Sequence, residues 1–465
     1  MTDGDARLVA AVRAGNLREV HALLGPGGNP DAADEYGLPV LYAAVASRKD
    51  GIAEALLGAG ADPDAMDADG VPVLCTAVAA FAHETVAALV KAGADPDRLL
   101  PDGTTPLLRA VEGGSPATVR AVRGEVLRLS VAQRERLLVA ARHWYETGAE
   151  EELRSRTGAT GPAEWSSVEE EWCDVEQVAL GGVTVRAGHG AVLTELELAF
   201  GILTPVEELV ARAVRHPDVC HVDWSASCWW LVERGDRETW SAVVAFRHHP
   251  SPGHRRFVVE YLQTRDRAVS VSHGVNPYQD EEARLLKAWA VEETDGGVLA
   301  VVLDTVSGEG YDEPLALRYA GHPNPRVRRE VPYLFDAPLT PEATAALFAL
   351  AGDPDPEVRG HAGGRLGRER GATPEIRAVV LGLLRDPDPA VRATAGAVLA
   401  AGDDRTPEAA EALVALLAEE DQELRLEGAY GLARRGDPRT REAYERVGPL
   451  GPQHEHDHRR SGRWL

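Results

Sequence analysis

Residues 60–74 read GADPDAMDADGVPVL, and residues 93–107 read GADPDRLLPDGTTPL. The two stretches share their first five residues, an Asp-Gly pair and the final leucine, and they start 33 positions apart. The same step separates three further sets of residues: Gly37, Gly70 and Gly103; Leu41, Leu74 and Leu107; Ala44, Ala77 and Ala110. A fixed period of this size is typical of proteins built from stacked units, so the N-terminal part of the chain is predicted to be a repeat array.

The residue types of this repeat predict two short helices and a projecting turn. Glycine ends a helix in the left-handed conformation, Asp-Gly favours a tight turn, and small alanines let two helices approach closely. On these residues the segment 5–125 resembles ankyrin repeats, which implies a stack of helix pairs with projecting fingertip turns. The ankyrin helix start Thr-Pro-Leu-His survives in part at 105–108, and Tyr42 stands where an earlier copy would have its histidine. That histidine normally ties neighbouring repeats, so we expect lower local stability unless other contacts replace it.

The C-terminal half of the chain carries a second repeat of the same length. Its markers are Thr-Pro-Glu at residues 340, 373 and 406, and the segments DPDPEVR at 353–359 and DPDPAVR at 386–392. Threonine or aspartate followed by proline is typical of a helix start, because the side chain caps the helix and proline suits its first turn. The pattern resembles short bacterial HEAT-like repeats of the phycobilisome-lyase type. This implies a helical array over residues 204–447, with Thr204 as a further helix cap.

Together the two arrays predict an all-α fold, a two-module α-solenoid in which an ankyrin stack (5–125) precedes HEAT-like repeats (204–447). The connector (126–203) is predicted to contain a capping helix, an acidic segment and a small β-hairpin around the glycine pair 181–182. Residues 448–465 lack apolar periodicity and are predicted to be disordered.

Charge and composition argue against several classes of function. The formal net charge is -25, and so acidic a protein repels phosphate backbones, which predicts no binding to nucleic acid. The N-terminus lacks the basic region of a signal peptide, and no apolar run is long enough for a membrane span, so we expect no membrane association. The four cysteines form no C-x-x-C pair, which favours a reduced, cytoplasmic protein. The strong bias towards arginine over lysine suggests a bacterial source.

Residues 220–236 read CHVDWSASCWWLVERGD and concentrate side chains that often carry chemistry. They match a later repeat when Gly235 is aligned with Gly436, so we interpret them as the second helix of a HEAT-like pair. One face of that helix holds Cys220, Trp224, Cys228 and Leu231, which indicates packing inside the solenoid. The two cysteines would lie about 12 Å apart along the axis, too far for a disulfide or for one zinc ion. We predict no metal site here, and whether Asp223 and Trp224 are functional stays open.

Arginine recurs at one position of the C-terminal repeat, namely at Arg328, Arg359, Arg392 and Arg425. Such a series forms either a basic stripe that grips an acidic partner or a ladder in which each arginine bridges an aspartate or a carbonyl of its neighbour. We favour the ladder, because a residue that is repeated in every unit usually serves the stacking of those units.

The ankyrin fingertips are the predicted partner-binding site, because turns that project from a stack need not pack against it. Their residues are Tyr36, Met66, Asp67, Asp69, Leu99, Leu100 and Asp102. Apolar side chains beside carboxylates suit a protein partner with basic and apolar groups. The same residues also fit ordinary variation at solvated turns, and the sequence does not decide between these two interpretations.

The predicted function is a non-catalytic scaffold or adaptor that binds a protein of unknown identity, with no cofactor, metal or catalytic residue. The alternative is a HEAT-like lyase or chaperone that acts on a chromophore- or cofactor-bearing protein, since HEAT-like repeats of this short kind also occur in bilin lyases. A cluster of polar side chains outside the repeat pattern would favour that alternative.

Overall fold

The computed structural model describes residues 2–123, 129–271, 274–371, 373–454 and 457–460. The fold is an all-α solenoid with one small sheet, as the repeats predict. The chain divides into two compact units, Met1–Thr264 and Arg265–Leu465. The division into four modules, which rests on the repeat pattern, stays a prediction. Residues 124–128, 272–273, 372, 455–456 and 461–465 of these modules lie outside the described part.

The first unit begins, within the described residues, with eight short helices that pack as successive pairs. They are α1 (Asp3–Ala14), α2 (Leu17–Leu23), α3 (Val40–Ala46), α4 (Asp50–Gly58), α5 (Val73–Ala79), α6 (His83–Ala92), α7 (Pro106–Gly113) and α8 (Pro116–Val122). The repeated leucines at 41, 74 and 107 are all buried in one apolar core. Each 33-residue repeat of the sequence therefore contributes a helix with a buried leucine to that core.

Tyr42 forms hydrogen bonds between neighbouring repeats, at the position where an ankyrin repeat normally has its histidine. Its hydroxyl donates a hydrogen bond to Asp67 Oδ2 (2.9 Å) in the fingertip turn of the next repeat and accepts one from Thr76 Oγ1 (2.7 Å) in α5, the first helix of that repeat. The Pro-Asp motif adds a second tie, because Asp31 Oδ1 accepts the backbone N–H of Asp62 (2.7 Å). Other contacts thus replace the histidine at this junction.

The connector consists of two helices, a three-stranded sheet and a buried helix. They are α9 (Val131–Thr147), α10 (Ala149–Thr157), β1 (Glu164–Glu170), β2 (Cys173–Leu180), β3 (Val183–Arg186) and α11 (His189–Ala199). The strands form an antiparallel meander with β2 in the middle, and the glycine pair 181–182 makes the β2–β3 turn as predicted. Most of the acidic segment lies in β1 and β2, which pair from Glu164 opposite Ala179 to Glu170 opposite Cys173.

Helix α11 is buried on almost every side, because α7, α8, α9, α12 and α13 all pack against it. The apolar side chains that it adds to the core are Val192, Leu193 and Leu196. The polar side chains of His189, Thr194 and Glu197 are buried as well, and they have partners. His189 stacks on Trp144 with ring centroids 4.8 Å apart, and Glu197 forms an ion pair with Arg212 at 2.7 Å.

Four further helices complete the first unit and lead into the second. They are α12 (Val206–Ala213), α13 (Val222–Arg234), α14 (Arg237–Ala245) and α15 (Pro252–Val271). The prediction that Thr204 caps α12 is wrong. Its hydroxyl donates instead to Glu197 Oε2 (2.6 Å), and α12 begins without a side-chain cap. Three guanidinium N–H groups, from Arg142 and Arg212, bond the same buried carboxylate, so the Thr204 hydroxyl joins a group of donors around Glu197.

The second unit is a series of helix pairs. They are α16 (Gln279–Glu292), α17 (Gly296–Glu309), α18 (Glu313–Tyr319), α19 (Pro325–Glu330), α20 (Pro341–Ala351), α21 (Pro356–Leu366), α22 (Pro374–Leu383), α23 (Pro389–Ala401), α24 (Pro407–Leu416), α25 (Gln422–Arg435) and α26 (Thr440–Val447). The predicted caps are confirmed at Thr340, Thr373, Thr406, Asp355 and Asp388, and each of these helices has proline in its first turn. Local chemistry alone therefore fixes where these helices begin.

The repeated arginines form the predicted ladder over two of its steps. Arg328 bonds both carboxylate oxygens of Asp353 (2.7 Å each), and Arg359 bonds both of Asp386 (2.8 Å each). All four arginines also donate to two carbonyls five and six residues back along their own segments. Arg392 makes only these carbonyl contacts among the described residues. The guanidinium groups of this arginine series are thus engaged in bonds within the protein, and few of their N–H groups are available to a partner.

The C-terminal tail differs from the prediction of disorder in its described residues. Arg459 forms ion pairs with Glu427 (2.6 Å) and Glu423 (2.9 Å) on α25, and His454 contacts Glu423 as well. Charged contacts of this kind need no apolar periodicity, so a search for periodicity misses them.

The ladder predicts a difference between two chemically identical substitutions. Arg359→Ala removes a bidentate bond to a carboxylate and should cost roughly 2 kcal/mol of local stability. Arg392→Ala removes only carbonyl contacts and should cost about 1 kcal/mol or less. Hydrogen–deuterium exchange of peptides from α21 to α23 under native conditions measures both. Equal effects of the two substitutions would show that the carboxylate bond adds nothing.

Candidate functional site

The fingertip turns are closed by an aspartate and a left-handed glycine. In the first, Asp34 Oδ1 accepts the backbone N–H groups of Tyr36 and Leu38 (2.9 Å each). In the second, Asp67 Oδ1 accepts those of Asp69 (3.0 Å) and Val71 (2.8 Å). The glycines that follow, at 37, 70 and 103, have φ between 72° and 83°, a conformation that suits glycine best. The turns are therefore rigid platforms for the side chains they carry.

Three apolar side chains of the predicted site are presented to solvent. Tyr36 is 84% exposed, Leu99 is 72% exposed and Met66 is exposed to a lesser extent. Asp69 is exposed as well, and its carboxylate makes no ion pair with another described residue. These four residues are called the fingertip surface below. They follow one another on successive turns, so a partner that lies across the turns can contact all of them.

Leu100 does not belong to the fingertip surface, because its side chain is only 5% exposed. It stands at the position that Asp34 and Asp67 occupy in the earlier turns. The third turn is closed differently: Asp102 accepts the backbone N–H of Thr104 (2.9 Å) instead. The leucine is thereby free to pack inward, and its predicted exposure is corrected.

The carboxylates of Asp67 and Asp102 are held by internal contacts. Asp67 binds Tyr42 and two backbone N–H groups, and the hydrogen bond from Val71 is the main cause that lowers its pKa. Hydrogen bonds from Thr104 lower the pKa of Asp102 to about 2, and Arg109 pairs with it at 2.8 Å. Of the predicted acids, Asp69 is thus the one that is free for a partner.

The tryptophan- and cysteine-rich stretch forms α13, as predicted, and three residues of its expected buried face are buried. They are Trp224, Cys228 and Leu231. Trp224 packs against Phe257 with ring centroids 5.4 Å apart, which accounts for its large side chain. The fourth, Cys220, precedes the helix and is exposed, so its placement on that face was wrong. The helix starts two residues later because His221 is its cap.

Asp223 has a structural task that the sequence did not show. Its carboxylate lies at the start of α11, where Oδ1 accepts the backbone N–H of Ala191 (2.6 Å). Gly190 is required there, because a Cβ at that position would collide with the carboxylate. The positive end of α11 favours the anion, but burial outweighs this and raises the pKa of Asp223 to about 7. One side chain of α13 thereby caps a different helix.

Three more polar groups surround Asp223 and lie outside the repeat pattern. The rings of His216 and His221 stack with centroids 3.7 Å apart, and His221 Nε2 lies 2.9 Å from Glu176 Oε2. His216 Nε2 lies 3.7 Å from Asp223 Oδ2. Burial, reinforced by His216, lowers the pKa of His221 to about 4, and burial lowers that of His216 too. Because Glu176 comes from β2, only the folded sheet brings this cluster together.

The cluster does not fit a metal ion as it stands. Glu176, His216 and His221 offer ligand atoms within 4.8 Å of one another. However, His221 Nδ1 accepts the backbone N–H of Asp223 (3.1 Å), so the proton of the neutral ring is on Nε2, where it donates to Glu176. A metal at Nε2 would displace that proton and break the cap of α13.

Comparison with known protein families finds a match for one segment of the chain. A family model for HEAT repeats matches residues 376–444, which include most of α22 through α26. No ankyrin match is found, so the ankyrin resemblance of residues 5–125 stays a prediction. A search of curated proteins finds none that matches the chain. Within the described residues, no helix combines the length and apolar character that crossing a membrane requires.

The buried carboxyl of Asp223 predicts a pH-dependent stability difference. Its folded pKa, about 7, lies above that of an unfolded aspartate, so the folded protein keeps a proton that the unfolded chain has lost. This group therefore lowers stability as pH rises from about 4 to about 7. Asp223→Asn keeps the acceptor for Ala191 and removes the titration. Across that range, the free energy of unfolding of the variant should rise relative to that of the wild type by roughly 1 kcal/mol for each pH unit.

Urea denaturation of both proteins at several pH values measures the difference. The histidines titrate with the opposite sign, because their lowered pKa values make stability rise with pH, and both proteins contain them. His216, whose Nε2 lies 3.7 Å from Asp223 Oδ2, also loses a neighbouring carboxylate in the variant. A difference that does not change with pH would contradict the buried, proton-binding carboxyl.

Proposed function

We propose that this protein is a non-catalytic adaptor that binds a protein partner through the fingertip surface. One observation carries the proposal: successive turns hold Tyr36, Met66 and Leu99 in solvent on rigid backbones. Exposed apolar side chains gain free energy when a partner covers them, and rigid turns lose little entropy on binding. Nothing in the packing of the helix pairs requires an aromatic ring or a leucine at these tips.

The charge around the fingertip surface favours a partner with basic groups. Asp69 is free, and the whole chain carries a formal net charge of -25. A basic partner is attracted at a distance by this charge and is then oriented by contacts at the tips. Acidic partners and nucleic acids are repelled by the same field.

The C-terminal HEAT repeats support the same general function. Helical repeats of this type typically mediate protein interactions, because stacked pairs create long concave surfaces. In this unit the repeated arginines bind within and between repeats. We therefore assign recognition of the partner to the fingertip surface and leave the arginine ladder a role in stability.

A matched pair of substitutions tests the proposal. Leu99→Asp places a charge on the fingertip surface, and Leu203→Asp places one on an equally exposed leucine between α11 and α12. Affinity purification from the native cell, followed by quantitative mass spectrometry, should show roughly tenfold loss of a partner with the first variant and none with the second. Recovery of the same proteins with both variants and the wild type would contradict the proposal.

A second candidate function is favoured by the cluster of Glu176, His216, His221 and Asp223. Such a group of polar side chains outside the repeat pattern fits a lyase or chaperone for a chromophore- or cofactor-bearing protein. Asp223 and His216 lie close enough for proton exchange after a small movement. In that case the protein purified from its native cell should absorb visible light, and His216→Ala should abolish the absorbance. A colourless wild-type protein would count against this candidate.

A further inference from the structure

A cavity of about 300 Å³ opens beside the β1–β2 turn in the first unit. Its walls come from α8, α11, α13 and the turn itself, and α13 contributes the rings of Trp229 and Trp230. Trp229 is half exposed, although the face of α13 that carries Trp224 is buried. The volume is at the small end of ligand sites, so it suits one side chain rather than a whole cofactor.

The carboxylates around this cavity outnumber the arginines that neutralise them. Arg120 lines the cavity but is held between Glu171 and Glu195, the latter at 2.8 Å. Arg123 reaches the other oxygen of Glu195 at 3.7 Å. Glu233, an exposed residue on the rim, makes no ion pair or hydrogen bond with another described residue. The guanidinium of Arg234 already lies over the Trp230 ring, 5.3 Å from its centroid. A cation that enters the cavity therefore meets the half-exposed ring of Trp229 and an unpaired carboxylate.

The two central residues of the β1–β2 turn, beside the cavity, have a strained backbone conformation. They are Glu171 and Trp172, with φ of 49° and 73°. Two-residue turns of this kind normally hold asparagine and glycine, because other residues are strained at positive φ. The Trp172 ring is nevertheless 92% exposed, so packing within the protein does not explain it. Its chain neighbours Glu171 and Cys173 both line the cavity, together with the two other tryptophans.

We propose that this tryptophan cavity binds an arginine or lysine side chain of a basic protein segment, with Trp172 packing against the residues that flank it. Tryptophan is the strongest of the aromatic residues in binding cations over its ring face, and Glu233 supplies the matching charge. A further cavity, of about 210 Å³, shares Glu170 and Glu171 with the first. A segment that crosses the turn can therefore continue into it.

The inference rests on the proposed function, because it names the chemistry of the partner that the adaptor recognises. It adds a site that lies outside the fingertip surface and that includes Trp229, Trp230 and Glu233 of the 220–236 stretch, for which the sequence predicted no binding role. A single basic side chain binds weakly by itself, so the cavity selects among segments, and contacts at the fingertip surface add affinity.

The test uses the full chain and a pair of synthetic peptides. One is a fluorescein-labelled dodecapeptide of glycine, serine and leucine with a central arginine, and the other has citrulline, an uncharged mimic, in its place. Fluorescence anisotropy should show that the wild type prefers the arginine peptide by about tenfold. Trp229→Ala and Glu233→Arg should abolish the preference. Glu54→Arg, at an exposed site on α4, changes the net charge equally and should retain it.

Trp172→Gly separates a binding role from a structural one. Glycine relieves the positive φ of the turn, so the melting temperature should be equal to or above that of the wild type. Binding of the arginine peptide should nevertheless weaken severalfold. A Trp172 that served only the fold would give the reverse: a lower melting temperature and unchanged binding.

Several outcomes would overturn the inference. They are equal binding of both peptides by the wild type, equal weakening by Glu54→Arg and Glu233→Arg, or tighter binding of a peptide with a central glutamate. Purification from cells separates this failure from that of the adaptor function. If Leu99→Asp loses a partner and Glu233→Arg does not, the cavity inference fails alone. If neither variant loses one, the adaptor function fails and the peptide result stands by itself.

Discussion

The burial of α11 on almost every side is the constraint around which the first unit is arranged. A buried helix must satisfy its polar groups inside the protein, since each one left unpaired costs free energy. Asp223 meets the backbone at its start, Arg212 pairs with Glu197 near its end, and His189 lies between Trp144 and the carbonyl of Glu112. These partners come from four different segments, so the helix joins the N-terminal pairs, the sheet and the later helices into one unit.

This arrangement explains why the chemically conspicuous residues and the proposed binding residues differ. The aspartate and the histidine of the 220–236 stretch face inward, where burial shifts their pKa values and internal partners occupy them. Trp229, Trp230 and Glu233 lie on other faces of the same helix and line an open cavity. One face of α13 thus packs in the core and stabilises the fold. Another face lines the cavity, where a partner can bind.

Local sequence chemistry predicted the starts of the C-terminal helices well and failed at single positions such as Thr204 and Leu100. The caps at Thr340 and Asp355 need only the residues beside them, and so they were read correctly. Thr204 looks the same in sequence, but a buried carboxylate from α11 takes its hydroxyl. Leu100 was misplaced because the closure of its turn moved to Asp102, two residues later. In both cases the contact that determined the position of the side chain is not part of the repeated sequence pattern.

The sequence by itself determined that the chain is a pair of helical repeat arrays, because a period of 33 residues reflects units that contact only their neighbours. It also determined the fingertip turns, since their closure is local. Only the tertiary structure decided which residues form sites. It brought Glu176 to His221 across 45 positions and set Trp229 opposite the β1–β2 turn. Contacts between distant segments leave no periodic signal, because each one occurs once.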